Sequence, residues 1–127
     1  MKDPENSLEA WVNDIVVFSS KGHWLMPLLE LEKFLSEHRS IKPSDIELHD
    51  TKGGRAAAGL AIGMGIKSVV LDLVSDYALE MYSDYGVKVS FNRRVPQIAC
   101  ATEKLITPAM TPSEIHALVI GRISNSF

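Results

Sequence analysis

The segment from Asp45 to Leu73 constrains the fold most, because it contains a strand, a turn, a helix and a strand in unbroken order. Ile46 to Leu48 is a short apolar run, and Gly53-Gly54 then allow a tight turn before a helix that begins at Arg55. Ile66 to Leu73 is dominated by Ile, Val and Leu, which is typical of a central strand covered on both faces. The order predicts a right-handed parallel βαβ unit.

The helix of this unit, Arg55 to Met64, is apolar on every side, which predicts that it is buried. Each glycine inside a helix costs about 1 kcal/mol relative to alanine. Gly59 and Gly63 therefore indicate that a neighbouring element comes too close for a side chain. Gly65 is placed to end the helix in a left-handed conformation.

The chain before this unit predicts a β-hairpin and an amphipathic helix. Leu8 to Val12 and Ile15 to Ser19 read as strands joined by Asn13-Asp14, which tolerate the positive φ of a tight turn. Trp24 to His38 carries leucines at helical spacing, with Pro27 tolerated in the first turn.

The chain after the unit predicts a helix, an edge strand and a final helix. Ser75-Asp76 cap a helix that ends at Gly86, and Val87 to Asn92 alternates between apolar and polar residues, as an edge strand does. The chain is irregular from Arg93 to Thr102, and Thr111 to Glu114 forms a capping box for the last helix. An N-terminal β-hairpin, αβαβαβ and a C-terminal helix predict a three-layer α/β/α sandwich.

Composition limits the functional classes. A chain of 127 residues fits one domain, 1–127, with 1–7 and 125–127 expected to be flexible. A net charge of −3 gives no reason to expect nucleic acid or an anionic membrane as the main partner. The polar N-terminus is no signal peptide, and the longest uncharged run is too short to span a bilayer. A single cysteine fits a reducing, cytoplasmic setting.

From about Leu8 to Leu105 the chain resembles the bacterial family called domain of unknown function 1893. The spacing from Asp50 to Arg55 matches the family's Asp-x-x-x-Gly-Lys, with arginine for lysine. The resemblance implies a cytidine-deaminase-like fold and carries no settled activity with it. It rests on these residues: Pro27 to Leu31, Asp50 with Gly54 to Ala58, Ile66 to Val70, Ala78 to Glu80, Val95-Pro96, and Cys100 with Glu103 to Leu105.

The wider deaminase resemblance argues against a zinc hydrolase. Such an enzyme needs His-x-Glu or Cys-x-Glu on one helix and Pro-Cys-x-x-Cys at the start of the next. The resemblance places the two cysteine positions at Gly54 and Ala57, and His23 is followed two residues later by Leu25 instead of glutamate. We expect no metal and no cofactor.

The N-terminus of the buried helix is the first candidate site. Backbone N–H groups, the positive end of the helix dipole, and the side chains of Lys52 and Arg55 suit a phosphate or carboxylate. The site also lies beyond the carboxyl end of a central strand, where open α/β sheets bind ligands. In the alternative interpretation, the glycines only allow the turn and Arg55 pairs with Asp50. The candidate ligand-binding residues are His49, Asp50, Thr51, Lys52, Gly53, Gly54 and Arg55.

Two residues are candidates for chemistry. Cys100 precedes a short helix, Thr102 to Leu105, a setting that can activate a thiol, although a lone cysteine is also a common apolar packing residue. His49, beside Asp50, has the form of a general acid or base, or of a structural histidine. Several aromatic or apolar side chains are candidates for a pocket, a dimer surface or the core: Trp24, Leu25, Tyr77, Tyr82 and Tyr85.

Three functional hypotheses follow. The first is a protein that binds a small anionic, nucleotide-like ligand near Asp50 and Arg55. The second is a metal-independent enzyme that uses Cys100 for thiol or sulfur transfer. The third is an interaction module that forms a homodimer or larger oligomer through an exposed edge strand or helix face.

Overall fold

The structure, a computed structural model, describes residues 2–98 and 103–124. Short 3₁₀ turns occupy Pro43–Asp45 and Glu103–Leu105. The strands and helices, in chain order, are β1 (Leu8–Val12), β2 (Ile15–Ser20), α1 (Met26–Glu37), β3 (Glu47–Gly53), α2 (Arg55–Met64), β4 (Ser68–Ser75), α3 (Asp76–Asp84), β5 (Lys88–Val95) and α4 (Pro112–Ser124).

The five strands form one mixed sheet in the order β2-β1-β3-β4-β5. β1 pairs antiparallel with β2 and β3, whereas β3, β4 and β5 are parallel. The predicted hairpin is confirmed: Asn13 and Asp14 have φ values of 49° and 66°. The parallel pairing of the two strands of the predicted βαβ unit, β3 and β4, and the edge position of β5 are confirmed as well.

The predicted boundaries of the parallel strands are wrong by several residues. β3 begins at Glu47 and continues to Gly53, because its pairing with β4 extends as far as Gly53 and Val74. The residues from His49 to Gly53 therefore lie in a strand and not in a turn. β5 likewise continues through Arg93 and Arg94, which pair with the end of β4.

α2 is buried along its first seven residues, as predicted. A Cβ atom at Gly59 would lie 2.7 Å from the Ile115 side chain of α4, so the close approach expected there is confirmed. A Cβ atom at Gly63 would meet only Pro112, at 3.8 Å, which is ordinary contact, and the same expectation is wrong for Gly63. Gly65 ends the helix with φ 94°, as predicted.

The helices lie on one face of the sheet. α1, α3 and α4 all contact α2, and two successive right-handed crossovers in the same direction put α2 and α3 on the same side. On β4, Val69 and Leu71 are buried beneath them, whereas Asp72, on the other face, is exposed. The α/β sandwich is confirmed. The helical layer expected on the opposite face is not found among residues 2–98 and 103–124.

Candidate functional site

A cavity of about 360 Å³ lies where the carboxyl end of β3 meets the first turns of α1 and α2, and we call it the Asp50 cavity. Its position is the one that open α/β sheets commonly use for ligands. The described residues that line it are Ser7, Gly22, His23, Trp24, Leu25, Pro27, Asp50, Thr51, Lys52, Gly54, Ala56, Ala57 and Ile98.

Asp50 is the most perturbed titratable group of this cavity. Burial of the carboxyl group raises its pKa from 3.8 to about 7; the hydrogen bond from Thr51 and the charge of Lys2 oppose this, and the charge of Asp72 adds to it. The backbone N–H of Thr51 donates to Oδ1 of Asp50 at 2.7 Å. Near neutral pH the side chain is therefore present both as a carboxylic acid, which can donate a hydrogen bond, and as a carboxylate.

The groups around Asp50 come from three elements. Thr51 and Lys52 follow it in β3, and the Thr51 hydroxyl donates to the Ser7 carbonyl at 3.0 Å, which ties β3 to the start of β1. Gly54 is the N-cap of α2 and provides no side-chain cap. The positive end of the α2 dipole and residue Lys52 thus lie at the same cavity as Asp50.

Trp24 forms part of the cavity lining and has an unusual backbone. Its φ is 59°, in the left-handed region that a bulky aromatic residue rarely occupies, and the residue is 46% exposed. Such strain persists only where surrounding structure enforces it, and it is frequent at ligand sites. The conformation presents an indole ring at a cavity that also contains His23 and Lys52.

Arg55 does not line the Asp50 cavity. It is buried, its Nη1 donates to the Ile106 carbonyl at 2.6 Å, and its guanidinium lies 4.1 Å from the centroid of the Tyr77 ring. It borders a second cavity of about 320 Å³ between α3 and residues 107–111, which we call the Arg55 cavity. The structure therefore separates Arg55 from Asp50, Thr51, Lys52 and Gly54.

His49 faces the other side of the sheet, because neighbouring residues of a strand point in opposite directions. Its Nε2 lies 2.6 Å from Oε1 of Glu47, and its ring centroid lies 5.3 Å from that of Trp11. Glu9, its partner on β1, is almost fully buried, and hydrogen bonds from Asn6, Asp3 and Trp11 lower its pKa against the effect of burial. His49 thus belongs to a different cluster from the Asp50 cavity.

Gly53 has a packing role. A Cβ atom there would lie 2.5 Å from Cδ1 of Leu71, so a side chain would disturb the contact between β3 and β4. Cys100, the candidate nucleophile, lies outside the described residues. The short helix expected after it corresponds to the 3₁₀ turn Glu103–Leu105.

The aromatic candidates are divided among three places. Trp24 and Leu25 line the Asp50 cavity, Tyr77 and Tyr85 line the Arg55 cavity, and Tyr82 is a core residue. Sequence reasoning did not assign Ser7, His23 or Ile98 to a ligand site. Only His23 had a usable signal, since it is a polar residue just before a helix.

Within residues 2–98 and 103–124, no three His, Cys, Asp or Glu side chains are grouped so that they could hold a metal ion. No helix in the same part of the chain combines the length and the apolar character that a membrane crossing needs.

The model of the family described as "TM1506: Domain of unknown function (DUF1893)" matches residues 4–119. The chain belongs to this family. The crystal structure of the DUF1893 family protein TM1506 from Thermotoga maritima, at 2.70 Å resolution, is similar to it with a TM-score of 0.80 and 26% sequence identity. The similarity covers 92% of this chain and 80% of that one. Curated proteins give no match.

Proposed function

We propose that this DUF1893 family protein binds a small anionic ligand in the Asp50 cavity. The observation that carries the proposal is the meeting of an α2 N-terminus without a side-chain cap, the Lys52 side chain and the Asp50 carboxyl group at one cavity. Helix N-termini and ammonium groups favour phosphate and carboxylate ligands. A carboxyl group with a pKa of about 7 is largely neutral at slightly acidic pH and can then donate a hydrogen bond to an anion.

Trp24 indicates the form of the rest of the ligand. An exposed indole ring at a cavity of about 360 Å³ favours a planar or apolar group beside the anion. A nucleotide-like ligand meets both requirements. A cytidine-deaminase-like scaffold that has kept its cleft without the zinc ligands would provide such a site, and that finer assignment is part of the proposal.

A single-tryptophan variant provides the test. Trp11→Phe leaves Trp24 as the only indole, since the sequence contains two tryptophans. We expect phenyl phosphate to change Trp24 fluorescence saturably, and we expect Lys52→Gln in the same background to weaken binding. Lys67→Gln, at an exposed position outside the cavity, is the matched control. Equal affinity in the Lys52→Gln and Lys67→Gln proteins would contradict the site assignment.

A symmetric oligomer through β2 is the second candidate function. β2 is an edge strand of the sheet, and its first residues are exposed, Ile15 by 66% and Val16 by 42%. A long apolar edge strand without a basic residue can pair with another copy of itself. Ile15→Lys should then reduce the mass of the complex in analytical ultracentrifugation, and a monomeric parent protein would contradict this candidate.

A further inference from the structure

Glu9 is a buried carboxylate that lies outside the Asp50 cavity and anchors the chain before β1. The residue is 3% exposed. Its Oε2 accepts hydrogen bonds from the Asp3 backbone N–H at 3.1 Å and from Asn6 Nδ2 at 2.7 Å. Its Oε1 accepts a hydrogen bond from Trp11 Nε1 at 3.0 Å. Hydrogen bonds to a carboxylate are about twice as strong as those between neutral groups, so Glu9 fixes residues 3–6 against β1.

The anchored segment brings a lysine toward the Asp50 cavity. Lys2 Nζ donates a hydrogen bond to the carbonyl of Asn6, the residue before Ser7. Ser7 lines the cavity, and its carbonyl accepts the hydrogen bond from the Thr51 hydroxyl. Burial raises the pKa of Asp50, and the charge of Lys2 opposes this effect. The Lys2 ammonium is therefore close enough to the cavity for its charge to act there.

The charge of Lys2 is not neutralised by a neighbouring carboxylate. Among residues 2–98 and 103–124, no Asp or Glu side chain lies within ion-pair distance of Lys2 Nζ. Lys21, by contrast, pairs with Glu5 at 3.7 Å. The Asn6 carbonyl that holds Lys2 has no net charge, so the ammonium remains available to an anion.

A cation beside the cavity adds to what Lys52 and the α2 N-terminus offer an anion. It also offsets the repulsion between an anion and the ionised fraction of Asp50. We propose, on the basis of the anion site proposed above, that Lys2 is a further ligand-binding residue of the Asp50 cavity and that Glu9 is its positioning residue. Glu9 acts through residues 3–6 and does not touch the ligand.

Calorimetry with phenyl phosphate tests the role of Lys2. The full chain is used with both tryptophans, because Trp11→Phe would remove a donor to Glu9. Lys2→Gln should bind about fivefold more weakly than the parent, as expected for the loss of one partly exposed charge. Lys67→Gln, at an exposed position outside the cavity, should bind like the parent.

The role of Glu9 gives an effect of opposite sign to that of its charge. Removal of a negative charge alone would strengthen the binding of an anion. Glu9→Gln, however, replaces one acceptor oxygen by an NH₂ group and so releases donors that hold residues 3–6. We expect weaker binding in Glu9→Gln, and no further loss when Glu9→Gln is added to Lys2→Gln.

The titration of Asp50, followed by carboxyl ¹³C NMR, provides a second measurement without ligand. Lys2→Gln should raise the pKa of Asp50 above that of the parent, and Lys67→Gln should leave it unchanged. An unchanged titration in Lys2→Gln, or tighter binding of phenyl phosphate in Glu9→Gln, would overturn the proposal. Weaker binding in Lys52→Gln with parental binding in Lys2→Gln would overturn it and leave the anion site standing. A parent protein that does not bind phenyl phosphate would overturn both.

Discussion

The backbone N–H of Thr51 donates a hydrogen bond of 2.7 Å to Oδ1 of Asp50, the residue before it in β3. A hydrogen bond of this kind stabilises the carboxylate, yet burial outweighs it and raises the pKa of Asp50 to about 7. The enclosure of the carboxyl group therefore determines its charge state. Three properties of the protein depend on this balance. They are the pH dependence of its stability, the charge of the ligand that the cavity accepts, and the effect of replacing Asp50.

Asp50→Asn should change how stability depends on pH. The folded pKa of about 7 lies above the ordinary value of 3.8, so the folded protein holds this proton more tightly than the unfolded chain does. The resulting stability is fully present below about pH 4 and is lost as the pH rises to about 7, by at most about 1.4 kcal/mol per pH unit. In urea unfolding at pH 4.5, 6 and 7.5, the free energy of unfolding of Asp50→Asn should rise relative to that of the parent protein as the pH increases. Asp14→Asn, in the exposed hairpin turn, is the control, and its free energy of unfolding should differ from that of the parent by the same amount at all three pH values.

The two inner glycines of α2 should respond to alanine in opposite directions. Gly59→Ala places a Cβ atom within 2.7 Å of the Ile115 side chain and should destabilise the protein by about 1–3 kcal/mol. Gly63→Ala has room, since its nearest contact is 3.8 Å away, and should stabilise the helix by up to about 1 kcal/mol. Thermal unfolding of the two variants compares them directly. A gain in stability for Gly59→Ala would show that α4 does not approach α2 as described.

Ser75 should contribute to stability as the N-cap of α3. Its hydroxyl accepts a hydrogen bond of 3.1 Å from the backbone N–H of Ala78, and the residue is buried. Ser75→Ala should cost about 1 kcal/mol in denaturant unfolding. Ser83→Ala, at an exposed position of the same helix, is the control and should change stability little. Equal losses in both variants would mean that the cap contributes nothing specific.

Arg55 should be more important for stability than a surface arginine. Arg55→Met leaves the Ile106 carbonyl without its donor and removes the contact with the Tyr77 ring. The expected loss is about 1–3 kcal/mol. Arg93→Met, at an exposed position of β5, should be nearly neutral. Equal stability of the two variants in urea would contradict the structural role of Arg55.

The sequence predicted the elements better than their ends. The glycine pair Gly53-Gly54 predicts a turn, but β3 extends to Gly53 because pairing with β4 satisfies its backbone groups. Hydrophobic patterning cannot detect such pairing, since Thr51 and Lys52 are polar. The Thr111 cap was predictable because a capping box is local: Thr111 and Glu114 exchange hydrogen bonds of 3.1 and 3.2 Å.

Part of the candidate site was predictable as well, because its residues are neighbours in the sequence. Asp50, Thr51, Lys52 and Gly54 follow one another closely in sequence, and the structure brings them to one cavity. The direction of each side chain was not predictable. Arg55, the first residue of α2, points to a different cavity, where its partner Ile106 is 51 residues away in sequence. A contact between such distant residues depends on how α3 and the chain after β5 pack.

The pH dependence of anion binding tests the central claim most directly. Benzenesulfonate is a suitable probe, because its charge stays constant from pH 6 to 8 and its ring can stack on Trp24. If binding requires protonated Asp50, the affinity measured by calorimetry should be about tenfold higher at pH 6 than at pH 8. Asp50→Asn should remove this difference, and His23→Asn should keep it. A parent protein that binds benzenesulfonate equally at both pH values, or not at all, would contradict the account.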